Sequence, residues 1–229
     1  MEIATLAQTV AGQAALAQAG ASPSAWEVAL SVAAGLGIAA ACGFRVFVPL
    51  LVLAVASKAG LVGLGSNFAF LATWPAIIAL GVACVAEVSA FHVPWLDHAL
   101  DTLAAPAAVV AGGVAMLTQM GAINTPMDPW MQWLLGALAG GAAAGVVQAG
   151  TMLMRGLSTL TTGGLANPVV ASIETLLALL VAVLAIVVPM LAIVAVALAV
   201  IFAVRAGRRW QAKRAGRGVV VPAQHVAAQ

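Results

Sequence analysis

Read for apolar and polar positions, the chain is a series of long apolar runs separated by short polar breaks. The runs have the length of helices that cross a bilayer, about 20 residues each. Residues 26–57 form the first run, interrupted by Gly43-Phe44-Arg45-Val46-Phe47-Val48-Pro49. Pro49 removes a backbone donor and crowds the preceding turn, so one spanning element that kinks or breaks near Gly43 is expected. A Gly/Ser/Asn loop is expected over 58–70. The second span runs over 71–93, with Pro75 near its entry and Glu87 inside it. Pro94-Trp95 closes that helix, and a short connection carrying Asp97, His98 and Asp101 leads into a third span over 102–119.

The loop GAINTPMDP ends the third span. The fourth, over 130–154, contains Gly136-x-x-x-Gly140 and Gly141-x-x-x-Gly145, a small-residue spacing that lets helix backbones approach closely. Arg155 stands at its end. Residues 158–174, STLTTGGLANPVVASIE, then gather hydroxyls, two adjacent glycines, an amide, a proline and a carboxylate between two apolar segments. The glycine pair followed by Asn-Pro argues against continuous helix. Residues 169–204 are a last apolar run whose 36 residues would rise about 54 Å as one helix, more than a bilayer core needs. Part of it must protrude, tilt or re-enter, with Pro189 as the expected kink. The pattern predicts an all-α, polytopic transmembrane helix bundle of about five spans, broken or re-entrant near Gly43 to Pro49 and near Thr161 to Pro168.

Composition agrees with this pattern and removes the soluble classes. The 229 residues are 64% hydrophobic and 7% charged, where a soluble domain carries about 25% charged residues; mean hydropathy is +1.12. The net charge of +2 is small, but six of the nine Lys and Arg (Arg205, Arg208, Arg209, Lys213, Arg214 and Arg217) crowd the C-terminal tail. By the positive-inside rule that tail is cytoplasmic. A nucleic-acid or lipid-headgroup reading of the cluster ranks below the topological one, and no nucleic-acid partner is expected. The chain then divides into an extramembrane arm or short helix over 1–25, a transmembrane domain over 26–204 and a basic tail over 205–229. Residues 1–24 lack Lys and Arg, hence the positive start of a signal peptide. Cys42 and Cys84 fall inside apolar runs and signal neither a disulfide framework nor a metal pair.

Five spans with a cytoplasmic C-terminus put Lys58 inside, in agreement with the rule, and Arg155 outside, against it. Were the first run a hairpin, the count would be six and the N-terminus would move in. A weak internal repeat also shows. At an offset of 61, Val85-Ala86-Glu87 meets Val146-Val147-Gln148, Asp97 meets Ser158 and Asp101 meets Thr162; LAAP at 103–106 falls near LANP at 165–168. Each copy would be a two-helix unit of the same orientation.

Candidate chemistry comes from the few ionisable groups in the apolar region. A charge at mid-helix costs about 2.5 to 3.5 kcal/mol on insertion scales, so such residues need partners or water. Glu87, flanked by VACVA and VSAF, and Glu174, early in the last run, are candidates, with Arg45 as their counter-ion. Asp97 and Asp101 would share one face if helical, as a proton-sharing pair, a pair of metal or sodium ligands, or solvated acids at a membrane surface. His98 could join them or sit solvated at the rim. Gln148 enters as the repeat partner of Glu87. Thr161, Thr162 and the two glycines could offer hydroxyls and amides to an anion or carbonyls to a cation. Asn167 before Pro168 is held out of helical geometry and suits the start of a half-helix. No cofactor is legible.

The heptapeptide Gly43 to Pro49, Glu87 with Pro94-Trp95-x-Asp97-x-x-x-Asp101, and Thr162-Gly163-Gly164 with Asn167-Pro168 and Glu174 carry a resemblance. On these residues the chain resembles an uncharacterised bacterial membrane-protein family, domain of unknown function 4126, over about residues 31–201. That family has no assigned activity, so the resemblance implies membership and almost no mechanism.

Three functions compete. The first is a small inner-membrane transporter or channel-like protein, its partners the lipid bilayer and a small solute or ion, with Arg45, Glu87, Asp97, Asp101, Gln148, Thr161, Thr162, Asn167 and Glu174 lining a polar site. The second is a metal-dependent enzyme acting on a lipid or polyprenyl phosphate, with Asp97 and Asp101 on Mg²⁺. The third is a structural or assembly subunit, with GxxxG-type contacts as the route to a homo-oligomer. The geometric expectation is that residues 87–106 and 158–174 face each other, with Arg45 between or beside them.

Overall fold

The computed structural model describes residues 23–90, 94–123, 127–191, 194, 198, 201 and 205, with backbone only for 94–102. The predicted arm over 1–25 and basic tail over 205–229 lie almost wholly outside these residues. Among the described residues every regular element is helical: α1 (Ala25–Cys42), α2 (Phe47–Lys58), a 3₁₀ helix (Ser66–Ala72), α3 (Trp74–Ala90), α4 (Pro94–Met120), α5 (Pro129–Thr162) and α6 (Asn167–Val187).

Helices α1, α5, α6 and the Leu103–Met120 part of α4 are each long and apolar enough to cross a membrane; α3 makes a fifth with the 3₁₀ helix, which is bent 69° from it. The outward faces are apolar as well, with Ile78, Val82 and Val85 of α3 and Leu134 and Leu138 of α5 all exposed. A soluble monomer rarely shows contiguous apolar surface of this kind. The chain is a multi-pass integral membrane protein.

Helix α1 is the centre of the bundle, packed against α2, α4, α5 and α6. Its second half is almost all small: Ala33, Ala34, Gly35, Gly37, Ala39, Ala40 and Ala41 are buried with Ile38 and Cys42. Without a hydrophobic drive between helices in lipid, close backbone approach supplies the packing. The same logic governs α4 and α5, the most extensive pair. A side chain at Gly112 would strike Gly140 and Ala144, and one at Gly136 would strike Leu117. Gly141 and Gly145 face Val109. The GxxxG glycines are therefore engaged within the chain, on α4.

The break after Cys42 reverses the chain. Gly35 of α1 lies against Met116 and Gln119 near the end of α4, whereas Gly43 lies against Ala144, Val147 and Gln148 of α5. Since α4 and α5 are antiparallel, α1 runs away from the end of α4. Helix α2 comes back. Phe47 meets Glu87 near the end of α3, Lys58 sits 5.2 Å over the Trp74 ring at its start, and the Gly65 N–H donates to Thr118 O of α4 at 2.9 Å. The 12 residues of α2 rise about 18 Å; had α2 continued onward, seven residues spanning at most about 25 Å could not return the chain to Thr118. The first run is a hairpin with a buried turn at 43–46. Pro49 accordingly belongs to the first turn of α2, where a missing donor costs little.

Other expectations are corrected by the helix bounds. Residues 94–101 are not a connection but the first turns of α4, and Pro106 lies inside that helix. Helix α5 runs to Thr162, so Ser158 to Thr162 are helical and the break is confined to 163–166. The Gly/Ser/Asn loop is shortened by the 3₁₀ helix. The last run is interrupted at Val188, next to Pro189, and the described residues beyond are helical again.

One end of the bundle gathers the ends of α2 and α4 and the starts of α3 and α5. Phe68 and Trp133 rings lie 5.7 Å apart there, and the Gln132 side-chain amide donates to Met120 O at 2.7 Å. Trp26, Trp74, Trp130 and Trp133 are exposed at this end, the position of an interfacial aromatic belt.

Candidate functional site

The turn between α1 and α2 leaves backbone amides inside the protein, and each must find an acceptor. The N–H groups of Gly43, Phe44 and Arg45 donate to Ala40 and Ala41 carbonyls at the end of α1. The next two are taken by a carboxylate from another helix. Val46 N–H donates to Glu87 Oε1 at 2.7 Å and Phe47 N–H to Glu87 Oε2 at 3.0 Å. Val46 stands at the N-cap of α2, with no side chain able to cap it. Glu87 serves instead, across a sequence distance of 41 residues, its two oxygens facing the positive end of the helix dipole.

Arg45 points the other way. It is 1% exposed; its Nη2 donates to Ala171 O at 2.8 Å and its Nε to Thr175 Oγ1 at 3.1 Å, both on α6. The same guanidinium lies 3.6 Å from Glu174 Oε2. Glu174 is held more tightly by Arg155 of α5, whose Nε donates to both carboxylate oxygens at 3.1 Å and whose Nη2 donates to Oε2. Two guanidiniums thus share one carboxylate, and the Glu87 carboxyl group lies close by, on the amides of Val46 and Phe47 that follow Arg45 in the chain. All four side chains are buried.

Arg45, Glu87 and Glu174 therefore converge around the turn, with Arg45 between the two acids in the sense that its neighbours in the chain bind one and its side chain the other. Gln148 is buried beside Gly43. Asn167 is buried at the start of α6, its Nδ2 donating to Thr159 Oγ1 at 3.3 Å. Helix α6 begins at Asn167 itself, with Pro168 in its first turn, so that residue is not excluded from the helix.

Thr161 and Thr162 are exposed and turned onto their own helix. Their hydroxyls donate to Leu157 O at 2.9 Å and Ser158 O at 2.8 Å, and Thr162 Oγ1 accepts the Ala166 N–H at 3.2 Å. Gly163 and Gly164, at φ +64 and +88, close the turn in the left-handed region that favours glycine. These residues terminate a helix and do not enter the charged cluster. Asp97 and Asp101 stand four residues apart in α4, hence on one face; their side chains, and all of His92, lie outside the described residues. Among the described residues no group of three or more His, Cys, Asp and Glu could hold a metal.

Arg155 was not among the expected site residues, because the charge at the end of an apolar run reads as a loop charge. The signal was present in spacing: Gln148, Thr151, Arg155 and Ser158 fall at i, i+3, i+7 and i+10, one helix face, and all four are buried. As a buried residue Arg155 does not count in the loop-charge bias that it had contradicted.

A groove of about 410 Å³ adjoins the turn on the side away from Arg45, between α3, α4 and the start of α2. Val46, Phe47, Glu87, Leu103 and five alanines line it.

A family model described as "Domain of unknown function (DUF4126)" matches residues 32–209. The chain belongs to this family. Its match covers the hairpin, the charged cluster and all of α3 to α6, and the family carries no activity to transfer. Neither the curated proteins nor the solved structures give a significant match.

Proposed function

We propose that this member of the family is a small transporter of the bacterial inner membrane, moving an ion, a proton or a small solute through the region of the α1–α2 turn. The observation that carries the reading is the buried turn itself: two helix-terminal amides capped by Glu87 from α3, beside an Arg45–Glu174–Arg155 cluster. Broken helices that meet ionisable side chains inside a bundle are the general form of transporter sites, and intramembrane charges are costly enough to need a reason. Helix α5 continues 14 residues past Gln148 to Thr162, about 21 Å, so the turn lies well inside the bundle.

The orientation that fits puts the end bearing Lys58 and the tryptophans in the cytoplasm, with the basic tail on that side. The N-terminus is then cytoplasmic too, because the first run turns back.

The test is flux in proteoliposomes holding the purified protein under an imposed pH gradient, scanned with small inorganic ions, organic cations, carboxylates and neutral solutes. Saturable uptake or gradient dissipation, lost in Glu87→Gln, supports the reading. No flux above empty vesicles for any class would sink it.

A further inference from the structure

Helix α4 is fixed in the bundle from Ala108 onward. Ala108, Ala111 and Ala115 are buried, and Gly112 lies against Gly140 of α5. Just ahead of them Leu103, Pro106 and Ala107 are exposed. Pro106 stands inside the helix, where it has no N–H for the carbonyl one turn back and its ring crowds that carbonyl, a common cause of a kink. The part of α4 ahead of Pro106 is therefore an arm on a weakened turn, and the part behind it is the anchor.

The groove of about 410 Å³ lies beside this turn. Ala83, Ala86 and Ala90 of α3 line one side, and Leu103, Ala104 and Ala107 of α4 the other. Spacings of three and four put each set on one helix face. Small residues let helix backbones approach closely, yet these two faces stand apart. Helix α3 is the fixed wall, because Glu87, its one buried residue, holds the amides of Val46 and Phe47. Lipid tails are as apolar as alanine, so no hydrophobic drive separates a groove filled by acyl chains from one closed by alanine contact. Two packings of similar free energy about a weakened turn are the condition for a two-state element.

We infer that the arm of α4 ahead of Pro106 swings onto α3, bringing Ala104 against Ala86 and closing the groove. The structure shows the open form. Closure seals the Val46 and Phe47 side of the turn from the acyl layer. As a gate on the turn this deepens the transport reading and rests on it; as a movement it stands without it.

Disulfide trapping in proteoliposomes tests the movement. In a background of Cys42→Ala and Cys84→Ala, the pair Ala86→Cys and Ala104→Cys is oxidised with copper phenanthroline, and Val82→Cys with Val110→Cys, both at exposed positions, is the control. A disulfide requires Cα atoms within about 7 Å, so its formation reports closure. Trapping is expected for the groove pair and not for the control. Pro106→Ala stiffens the turn and is expected to slow trapping at least about tenfold. Ala107→Leu keeps the faces apart and is expected to slow it as much, while amide protection at Val46 and Phe47 stays as in the background protein. No trapping above the control pair, or an unchanged rate in Pro106→Ala, would overturn the inference. Trapping uses no gradient, so trapping in a protein without flux removes the transport reading alone, and flux without trapping removes the closure alone. Flux undiminished by the trapped disulfide overturns the gate.

Discussion

Arg155 and Glu174 stand 19 residues apart, on either side of the turn at 163–166, and tie α5 to α6 through a buried two-point ion pair. Arg45 reaches the same carboxylate from the hairpin turn at 3.6 Å. The hairpin turn, α5 and α6 are thereby joined at one acid.

The sharing makes the two ends of the pair unequal. Glu174→Gln leaves two buried guanidiniums without their common carboxylate and should cost about 3 to 5 kcal/mol, the range for stripping one partner from a buried pair. Arg155→Met leaves Glu174 still facing Arg45 and should cost less. Thermal unfolding in detergent checks the order, and an Arg155→Met variant as unstable as Glu174→Gln would count against it.

Glu87 holds the start of α2 by its two acceptors. Glu87→Gln keeps one acceptor oxygen and removes the other, leaving a buried amide unsatisfied at about 1 to 3 kcal/mol. Hydrogen–deuterium exchange should speed up at Val46 and Phe47 while α5 stays protected. Unchanged exchange at these two amides would show that the cap is not what holds the turn.

Gly43 and Gly156 answer opposite questions about packing. A Cβ on Gly43 would collide with the Ala144 carbonyl and Val147, whereas one on Gly156 meets nothing within 4 Å. Gly43→Ala should destabilise by about 1 to 3 kcal/mol through overpacking, and Gly156→Ala should stabilise by up to about 1 kcal/mol through helix propensity. The contrast reads directly as melting shifts of opposite sign.

The reversal at 43–46 fixes sidedness. In a background of Cys42→Ala and Cys84→Ala, Ser24→Cys and Gly60→Cys should react with a membrane-impermeant maleimide from one side of sealed vesicles, and Leu165→Cys from the other. Labelling of Ser24→Cys and Gly60→Cys from opposite sides would replace the hairpin with a continuous first span.

Much of the candidate site was legible in the chain, because charges are rare in an apolar sequence and each one stands out. Arg45, Glu87 and Glu174 were singled out on that ground and do meet around the turn. Arg155 reads as a loop charge at the end of an apolar run, because its partner Glu174 stands beyond the next turn. Thr161 and Thr162 drew attention as clustered hydroxyls, but a hydroxyl near a helix end can satisfy itself on carbonyls three or four residues back, and composition does not distinguish the two uses.

The sequence by itself determined the class of protein, the apolar runs and the places where they break. Those follow from local physics: the length of helix a bilayer needs, the conformational freedom of Gly163 and Gly164, the missing donor of Pro49. Direction and pairing were decided only in three dimensions. A break at Gly43 is compatible with a kink or a reversal, and the choice depends on Glu87 receiving the amides of Val46 and Phe47 and on Gly65 reaching Thr118. In lipid the buried and outward faces of a helix are both apolar, so periodicity says little about which face packs where. The contacts that decide it, Gly112 on Gly140 and Arg155 on Glu174, are between residues that no local pattern relates.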